Sequence, residues 1–418
     1  MDERADVIVV GLGPGGRHVA GALARAGLDV VGVEAEPVGG WSGAAGCVHR
    51  QAAHDGDGRP TTDDLAAQGV RLVPGTGRLA GPRRVAVARS TFEARRGVVL
   101  ATGARPRTAD VAGLAATPYW TPRDVTAGRE LPASLLVVGG GGTGVEIAQR
   151  FACAGSAVTL IEAGERLLPR EEPEAGQLAA AALQADGVDV LTGARVGRVE
   201  HDGVGFLAHV AGEQPVLGGE RLLLATGRVV DLGGLGVDTV GLDPSAFAVP
   251  TDGRMRAGAG LWAVGDITGR RGGARVLSYQ ADIAVRDVLG RPGPDAGHRA
   301  LPRVVFTEPE IGAVGLTEQQ ARGLGVNVRA ALAPIASPGC GEGADGEGFV
   351  KLVEDTDRGV LVGATAAGPA GGEVLYGLQV AVHAEVPVAR LQHMIHGDAA
   401  VHRAVEAALQ ALRRPGRD

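Results

Sequence analysis

Val7-Ile8-Val9-Val10-Gly11-Leu12-Gly13-Pro14-Gly15-Gly16 sets four β-branched residues directly against a glycine-rich turn. An unbroken apolar run predicts a strand covered on both faces, as in a parallel sheet. The glycines after it predict a tight strand-to-helix turn. Helical patterning continues to Ala26, Gly27 ends it, and a second strand over residues 30–33 closes on Glu34. This order makes a dinucleotide-binding unit. Gly11 permits the turn, Gly13 lets backbone approach a pyrophosphate, and Gly16 lets the helix pack close to the strand. The helix N-terminus offers N–H groups and partial positive charge to phosphates. The acid accepts hydrogen bonds from ribose hydroxyls.

The pattern recurs. Leu135 to Val138 leads into Gly139-Gly140-Gly141-Gly142-Thr143-Gly144, a helix to Ala154, Gly155, a strand over 158–161, and Glu162. Glu34 lies 18 positions after Gly16, and Glu162 lies 18 after Gly144. Further on, each unit reaches an apolar run that ends in the same tripeptide, Ala101-Thr102-Gly103 and Ala225-Thr226-Gly227. The chain therefore carries an internal duplication. Two dinucleotides in one chain imply a relay, one cofactor donating hydride to the other. Glu162 favours NAD over NADP because its carboxylate repels a 2′-phosphate, although nearby Arg166 could offset this.

Composition narrows the remainder. The chain has 418 residues, 45% apolar and 21% charged, which suits two or three globular domains. Net charge is −7 with arginines interspersed among acids, so no basic nucleic-acid face is expected. No apolar run reaches the ~18 residues of a membrane helix. The acidic start, Met1-Asp2-Glu3-Arg4, lacks the pattern of a secretion signal, and a cytoplasmic protein is expected. Cys47, Cys153 and Cys340 are far apart, which fits reduced thiols. Cys153 is expected in the core, and Cys340 in an exposed loop over 337–348. Metal-ligand spacing and a Gly-x-Ser-x-Gly elbow are both missing. Lys351 is the sole lysine.

Past the second tripeptide come Trp262-Ala263-Val264-Gly265-Asp266, a helical pattern over 278–289, and a Gly/Pro-rich link over 290–297. The last region has no glycine fingerprint and alternates strands, such as 349–353, with helices, the last over 401–412. With these motifs the chain resembles the pyridine-nucleotide disulfide oxidoreductases, the family of dihydrolipoamide dehydrogenase, glutathione reductase and mercuric reductase. The resemblance extends through Phe306-Thr307-Glu308-Pro309-Glu310-Ile311-Gly312, Gly348-Phe349-Val350-Lys351-Leu352 and Gly363-Ala364-Thr365. It implies an α/β fold with two Rossmann-like (βαβ) dinucleotide-binding domains and a C-terminal α+β dimerisation domain. Residues 1–115 and 231–299 would bind FAD, 116–230 would bind NAD(P)H with NADH favoured, and 300–418 would form a homodimer. For FAD it implies contacts from Gly11, Gly13, Gly16, Glu34, Gly40, Trp41 and Ser42. Gly77, Ala101, Thr102, Gly103, Gly265 and Asp266 join them, Asp266 standing where the family's acid meets the flavin ribityl. For the nicotinamide cofactor it implies Gly139, Gly141, Gly144, Glu162, Thr226 and Gly227.

The departures fall at the active centre. Relatives carry two cysteines separated by four residues after a Gly-Gly pair, followed by Pro-Ser-Lys. Here the segment reads Gly39-Gly40-Trp41-Ser42-Gly43-Ala44-Ala45-Gly46-Cys47-Val48-His49-Arg50-Gln51. Ser42 takes the first cysteine's place and Cys47 keeps the flavin-proximal one. Serine has no thiol, so no disulfide is expected at this site. Gln51 replaces a lysine that pairs with an acid, whose counterpart is Glu146. Gly142 stands where relatives often have a gating Tyr. The family's His-Pro-Thr-x-x-Glu aligns with Asp398-Ala399-Ala400-Val401-His402-Arg403, changing both members of its acid-base dyad. Only 53 residues separate Cys47 from Ala101, where relatives have tens more as helices covering the flavin.

These readings predict an FAD-dependent oxidoreductase that takes hydride from NAD(P)H. Electrons would pass directly from flavin to a quinone, a conjugated metabolite or oxygen, without disulfide reductase chemistry. Cys47, Glu146, Asp398 and His402 are the candidate catalytic residues. Cys47 either cycles through sulfenic acid, as in single-cysteine NADH peroxidases and oxidases, or is a buried small residue. Asp398 and His402, four apart on an expected helix, form either a new acid-base pair or a surface pair. A third reading is a non-redox protein of specialised metabolism that retains the scaffold.

Overall fold

The computed structural model describes residues 2–36, 62–108, 111–126, 131–212, 216–270, 272–335 and 348–413. Gly40, Trp41, Ser42, Cys47, Gln51 and Cys340 lie outside the described residues.

One compact unit comprises Met1–Arg107 and Gly227–Gly297. The opening apolar run forms the strand Asp2–Val10, paired in parallel with Val30–Glu34 on one side and Ser90–Leu100 on the other. Its alternate residues face different cores. Val7 and Val9 pack with Val19, Ala20 and Leu23 of the helix Pro14–Arg25. Ile8 and Val10 pack with Val85, Phe92 and Leu232. Coverage on both faces is why the run needs no polar residue. The sheet has eight strands, and Val70–Pro74 extends it beyond Val30–Glu34. Leu261–Ala263 pairs in parallel on the far side of Ser90–Leu100. The helix Gly273–Val288 packs against Pro14–Arg25, with His18 and Asp282 joined at 2.6 Å.

The other compact unit comprises Thr108–Thr226 and His298–Asp418. Its parallel sheet has the order Asp189–Leu191, Ala157–Ile161, Ser134–Val138, Arg221–Leu224. The strand entering the glycine turn again lies between the acid-ending strand and the strand leading to Ala-Thr-Gly. Val196–His201, Phe206–Val210 and Leu217–Gly219 form an antiparallel meander. The C-terminal region is a five-stranded antiparallel sheet, in which Phe349–Asp355 and Val360–Gly368 are central. Val350 and Leu352 share one core with Leu375 and Leu378 of the helix Gly371–His383, and with Ala404 and Ala408 of the helix Ala400–Ala411.

A buried polar cluster ties this unit's two sequence segments together. The Lys351 ammonium donates to Glu174 at 2.9 Å and Glu172 at 3.0 Å, and lies 3.2 Å from Glu318. Burial opposes its charge, yet hydrogen bonds to Glu174 and Glu172 prevail and hold the Lys351 pKa above its usual value. Next to it, Arg303 makes a two-pronged pair with Glu171, at 3.0 and 2.9 Å. Among the described residues, no helix is long and apolar enough to cross a membrane.

Candidate functional site

The two glycine turns have the same internal geometry. A Cβ at Gly11 would sit 2.6 Å from the Ala101 carbonyl oxygen, and one at Gly139 would sit 2.6 Å from that of Ala225. Gly16 and Gly144 are more constrained, since a Cβ there would lie 1.8 Å from the carbonyl oxygens of Gly11 and Gly139. Gly13 and Gly141 face open space with nothing within 4 Å. Each helix thus starts hard against its strand while its second motif glycine leaves room for a ligand. That is the cradle a pyrophosphate needs. Backbone bonds from Gly11 to Val33 and from Gly139 to Ile161, both 2.8 Å, hold each turn to its neighbouring strand.

The two acids also match. Glu34 Oε2 accepts from the Leu12 N–H at 2.6 Å, and Glu162 Oε2 accepts from the Gly140 N–H at 2.6 Å. Their other oxygens accept from Ala35 and Glu36, and from Gly164. Each carboxylate is drawn back over its own turn, where ribose hydroxyls adjoin a bound pyrophosphate. Arg166 is committed elsewhere. Its guanidinium donates to the carbonyls of Leu168, Pro169 and Glu171 at 2.9, 3.1 and 3.0 Å.

In the first unit, Asp266 follows Gly265, which takes the positive φ of 86°. The Gly265 N–H donates to the buried Gln280 at 2.7 Å, and the Asp266 carboxylate is ion-paired with Arg228. Arg228 comes directly after Gly227, so its adjacency to the tripeptide was the one sequence signal for it. Gly77 is buried where a Cβ would come within 2.9 Å of Val10 and 3.0 Å of Val33, the residues before Gly11 and Glu34. Gly103 and Gly227 take positive φ values of 67° and 103°, while Thr102 is exposed and Thr226 half-buried.

Glu146 lies on the helix Gly142–Cys153, two residues past Gly144, and is 6% exposed. Its Oε1 accepts from the Phe306 N–H at 3.0 Å, whereas Oε2 is enclosed without a hydrogen-bond partner. Burial pushes its carboxyl pKa up to about 8, against the opposing pull of the Phe306 N–H. One turn on, Gln149 clamps residue 308. Its amide donates to the Glu308 carbonyl and accepts from the Glu308 N–H, both at 2.8 Å, and also donates to Asp186 at 2.7 Å. Sequence reading missed Gln149, whose only signal was a polar residue within an apolar helical stripe.

Two expectations need correction. Cys153 is exposed, because the buried stripe runs through Val145, Ile147, Ala148 and Phe151 and the helix ends at Cys153 off that stripe. Asp398 and His402 do not share a helix. The last helix begins at Ala400, both residues are exposed, and no hydrogen bond joins their side chains. Instead Arg403 donates to the Asp398 carbonyl at 2.6 Å, and a Cβ at Gly397 would come within 2.7 Å of His402 Nδ1. Among the described residues, no cluster could hold a metal ion.

Comparison with known proteins matches residues 5–287 to the family described as "Pyridine nucleotide-disulphide oxidoreductase", and residues 301–408 to that family's dimerisation domain. The dihydrolipoyl dehydrogenase of Chlorobaculum tepidum is 31% identical over 458 residues, covering 98% of each chain. The mercuric reductase of Bacillus cereus is 31% identical over 319 residues, covering 75% of this chain and 50% of its own. Two solved structures share the fold: the Cu(II) complex of the HOCl-induced flavoprotein disulfide reductase RclA from Escherichia coli and LpdA from Mycobacterium tuberculosis. Both are 24% identical, covering 99% of this chain and 100% of theirs, with TM-scores of 0.79 and 0.76.

Proposed function

The chain belongs to the pyridine nucleotide-disulphide oxidoreductase family and is an FAD-dependent pyridine-nucleotide oxidoreductase; from that premise we propose that it reduces a small-molecule acceptor directly, without a disulfide relay. The acceptor is a quinone, another conjugated metabolite or oxygen. The observation that carries this reading is the cysteine inventory beside two intact glycine turns. Ser42 stands at the interchange position, and the nearest cysteine in sequence to Cys47 is Cys153, a free and exposed thiol. Cys340 is the third and last.

Together the bound cofactors supply a hydride donor and its acceptor. The chain's own residues bind and orient them. N–H groups at the starts of Pro14–Arg25 and Gly142–Cys153 hold pyrophosphates, while Glu34 and Glu162 take ribose hydroxyls. Asp266 is the acid for the flavin's side chain. NADH is the expected reductant, because Glu162 disfavours a 2′-phosphate and Arg166 is held by backbone carbonyls. The C-terminal region is proposed to pair two copies, giving twice the 42.2 kDa chain mass in solution.

Anaerobic titration of purified holoprotein, followed by visible absorption, tests the reading. NADH should bleach the flavin band, and a flavin left oxidised by both NADH and NADPH sinks it. Cys47→Ser should preserve acceptor reduction; its abolition would instead give the chemistry to that thiol.

A further inference from the structure

Gln280 is the most deeply buried polar residue among the described ones, with 0% of it exposed. The positions beside it in the helix Gly273–Val288 that are equally buried, Ala281 and Ala284, are apolar. A buried amide is costly unless it is hydrogen-bonded, and this one accepts from the Gly265 N–H at 2.7 Å. Gly265 is the residue from which Asp266 follows. Its φ of 86° and ψ of −156° are open essentially to glycine alone, and a Cβ there would lie 2.5 Å from Leu277 Cδ2. The Gly265 carbonyl accepts in turn from the Thr268 N–H at 2.9 Å and the Thr268 hydroxyl at 2.8 Å. Both polar groups of Gly265 are thus pinned, one of them by a side chain from the core. Beyond the backbone, the Asp266 carboxylate is pinned as well, through Oδ2, by the partly exposed Arg228.

The strand register says what this mount points at. Leu100 pairs in parallel with Val10 on one side and with Ala263 on the other, so the three residues are level across adjacent strands. The chain therefore leaves the sheet at one edge three times, at Gly11, at Ala101 and at Val264. Two strand spacings, about 10 Å, separate the first glycine turn from the strand that leads to Asp266. Ligands of open parallel sheets bind along that carboxyl edge, and a cofactor whose pyrophosphate sits at Gly11 continues along it. We propose that Gln280 and Arg228 are positioning residues that aim Asp266 at a hydroxyl of the flavin's ribityl chain. Gln280 fixes the peptide from which Asp266 projects, and Arg228 holds Oδ2, which leaves Oδ1 to accept. A carboxylate already aimed loses less freedom when the ligand arrives than one that turns freely. The inference rests on the reading of Asp266 as the flavin's acid.

Release of flavin from diluted holoprotein, followed by the fluorescence recovered as flavin leaves, tests this without any turnover. Asp266→Ala, Arg228→Met and Gln280→Met should each speed release about tenfold, the scale of one lost hydrogen bond to a charged group. The deciding measurement is the double variant. In the Asp266→Ala background, Arg228→Met and Gln280→Met should each add less than about twofold, because no carboxylate remains to be aimed. Residues that merely hold the fold together would add the same factor with or without Asp266, and that result would overturn the proposal. Gln280→Asn, still polar but one methylene too short for the Gly265 N–H, keeps this arm decidable if the core rejects Met. Wild-type release by Gln280→Asn would remove Gln280 from the mount. Should Asp266→Ala release flavin at the wild-type rate, the reading of Asp266 falls and its positioning with it. Fast release by Asp266→Ala with undiminished increments on top leaves that reading standing and strikes the positioning alone.

Discussion

The two nucleotide-binding turns agree in their backbones and part company in the side chains that follow. Position by position, Gly11, Gly16 and Glu34 repeat as Gly139, Gly144 and Glu162, with the same close approaches of 2.6 and 1.8 Å. Two residues past the last glycine the match ends. His18 reaches Asp282 near the surface, whereas Glu146 is sealed in with one oxygen unmet. Three residues further on, Gly21 corresponds to Gln149, which grips the backbone of residue 308. Phosphate cradling is performed by main-chain groups and tolerates no side chain, so it repeats. What the helix does beyond that depends on its neighbours, and here the copies have specialised.

The largest expected effect comes from filling the closest approach in each copy. Gly16→Ala and Gly144→Ala each place a methyl 1.8 Å from a carbonyl oxygen, costing about 3 kcal/mol or more in the unit concerned. Gly16→Ala should yield protein without flavin. Gly144→Ala should stay yellow yet resist bleaching by NADH. If Gly144→Ala also comes out colourless, the copies do not act as separable binding units. Comparable in stability cost but smaller in its effect on cofactor is Lys351→Met, which leaves the buried Glu172 without its cation and should cost about 3 kcal/mol by denaturant unfolding. Flavin content per folded molecule should hold, since the first unit has no part in that cluster. The smallest effect is expected at Arg166→Ala. With its guanidinium spent on carbonyls, the NADH-to-NADPH preference should change less than about threefold. A larger swing would mean that Arg166 reaches the cofactor.

How legible each feature was depends on whether its cause is local. The glycine turns follow from short motifs whose backbone demands are unique to glycine, and their acids from a fixed spacing after them. The doubled spacing announced the duplication. Cys153 and the Asp398–His402 pair were misjudged by helical phase, because a shift of one or two residues at a helix end moves a side chain off a stripe or out of the helix altogether. That Gln51 stands where the resemblance leads one to expect a lysine could be read directly, but not the enclosure of Glu146. Its hydrogen-bond partner, the Phe306 N–H, comes from 160 residues away. Likewise the carboxylates around Lys351 come from as far as 179 residues upstream, and no local pattern encodes such a meeting.

A protein with 69 glycines and one lysine has an unusual chemical profile toward electrophiles. The ε-amine of Lys351 is protonated, sealed and bonded to carboxylates, so an acylating reagent should ignore it while the strand Phe349–Asp355 stays in place. Its rate of modification, read as a mass increase on a single peptide, therefore becomes a built-in clock for local opening of the C-terminal sheet.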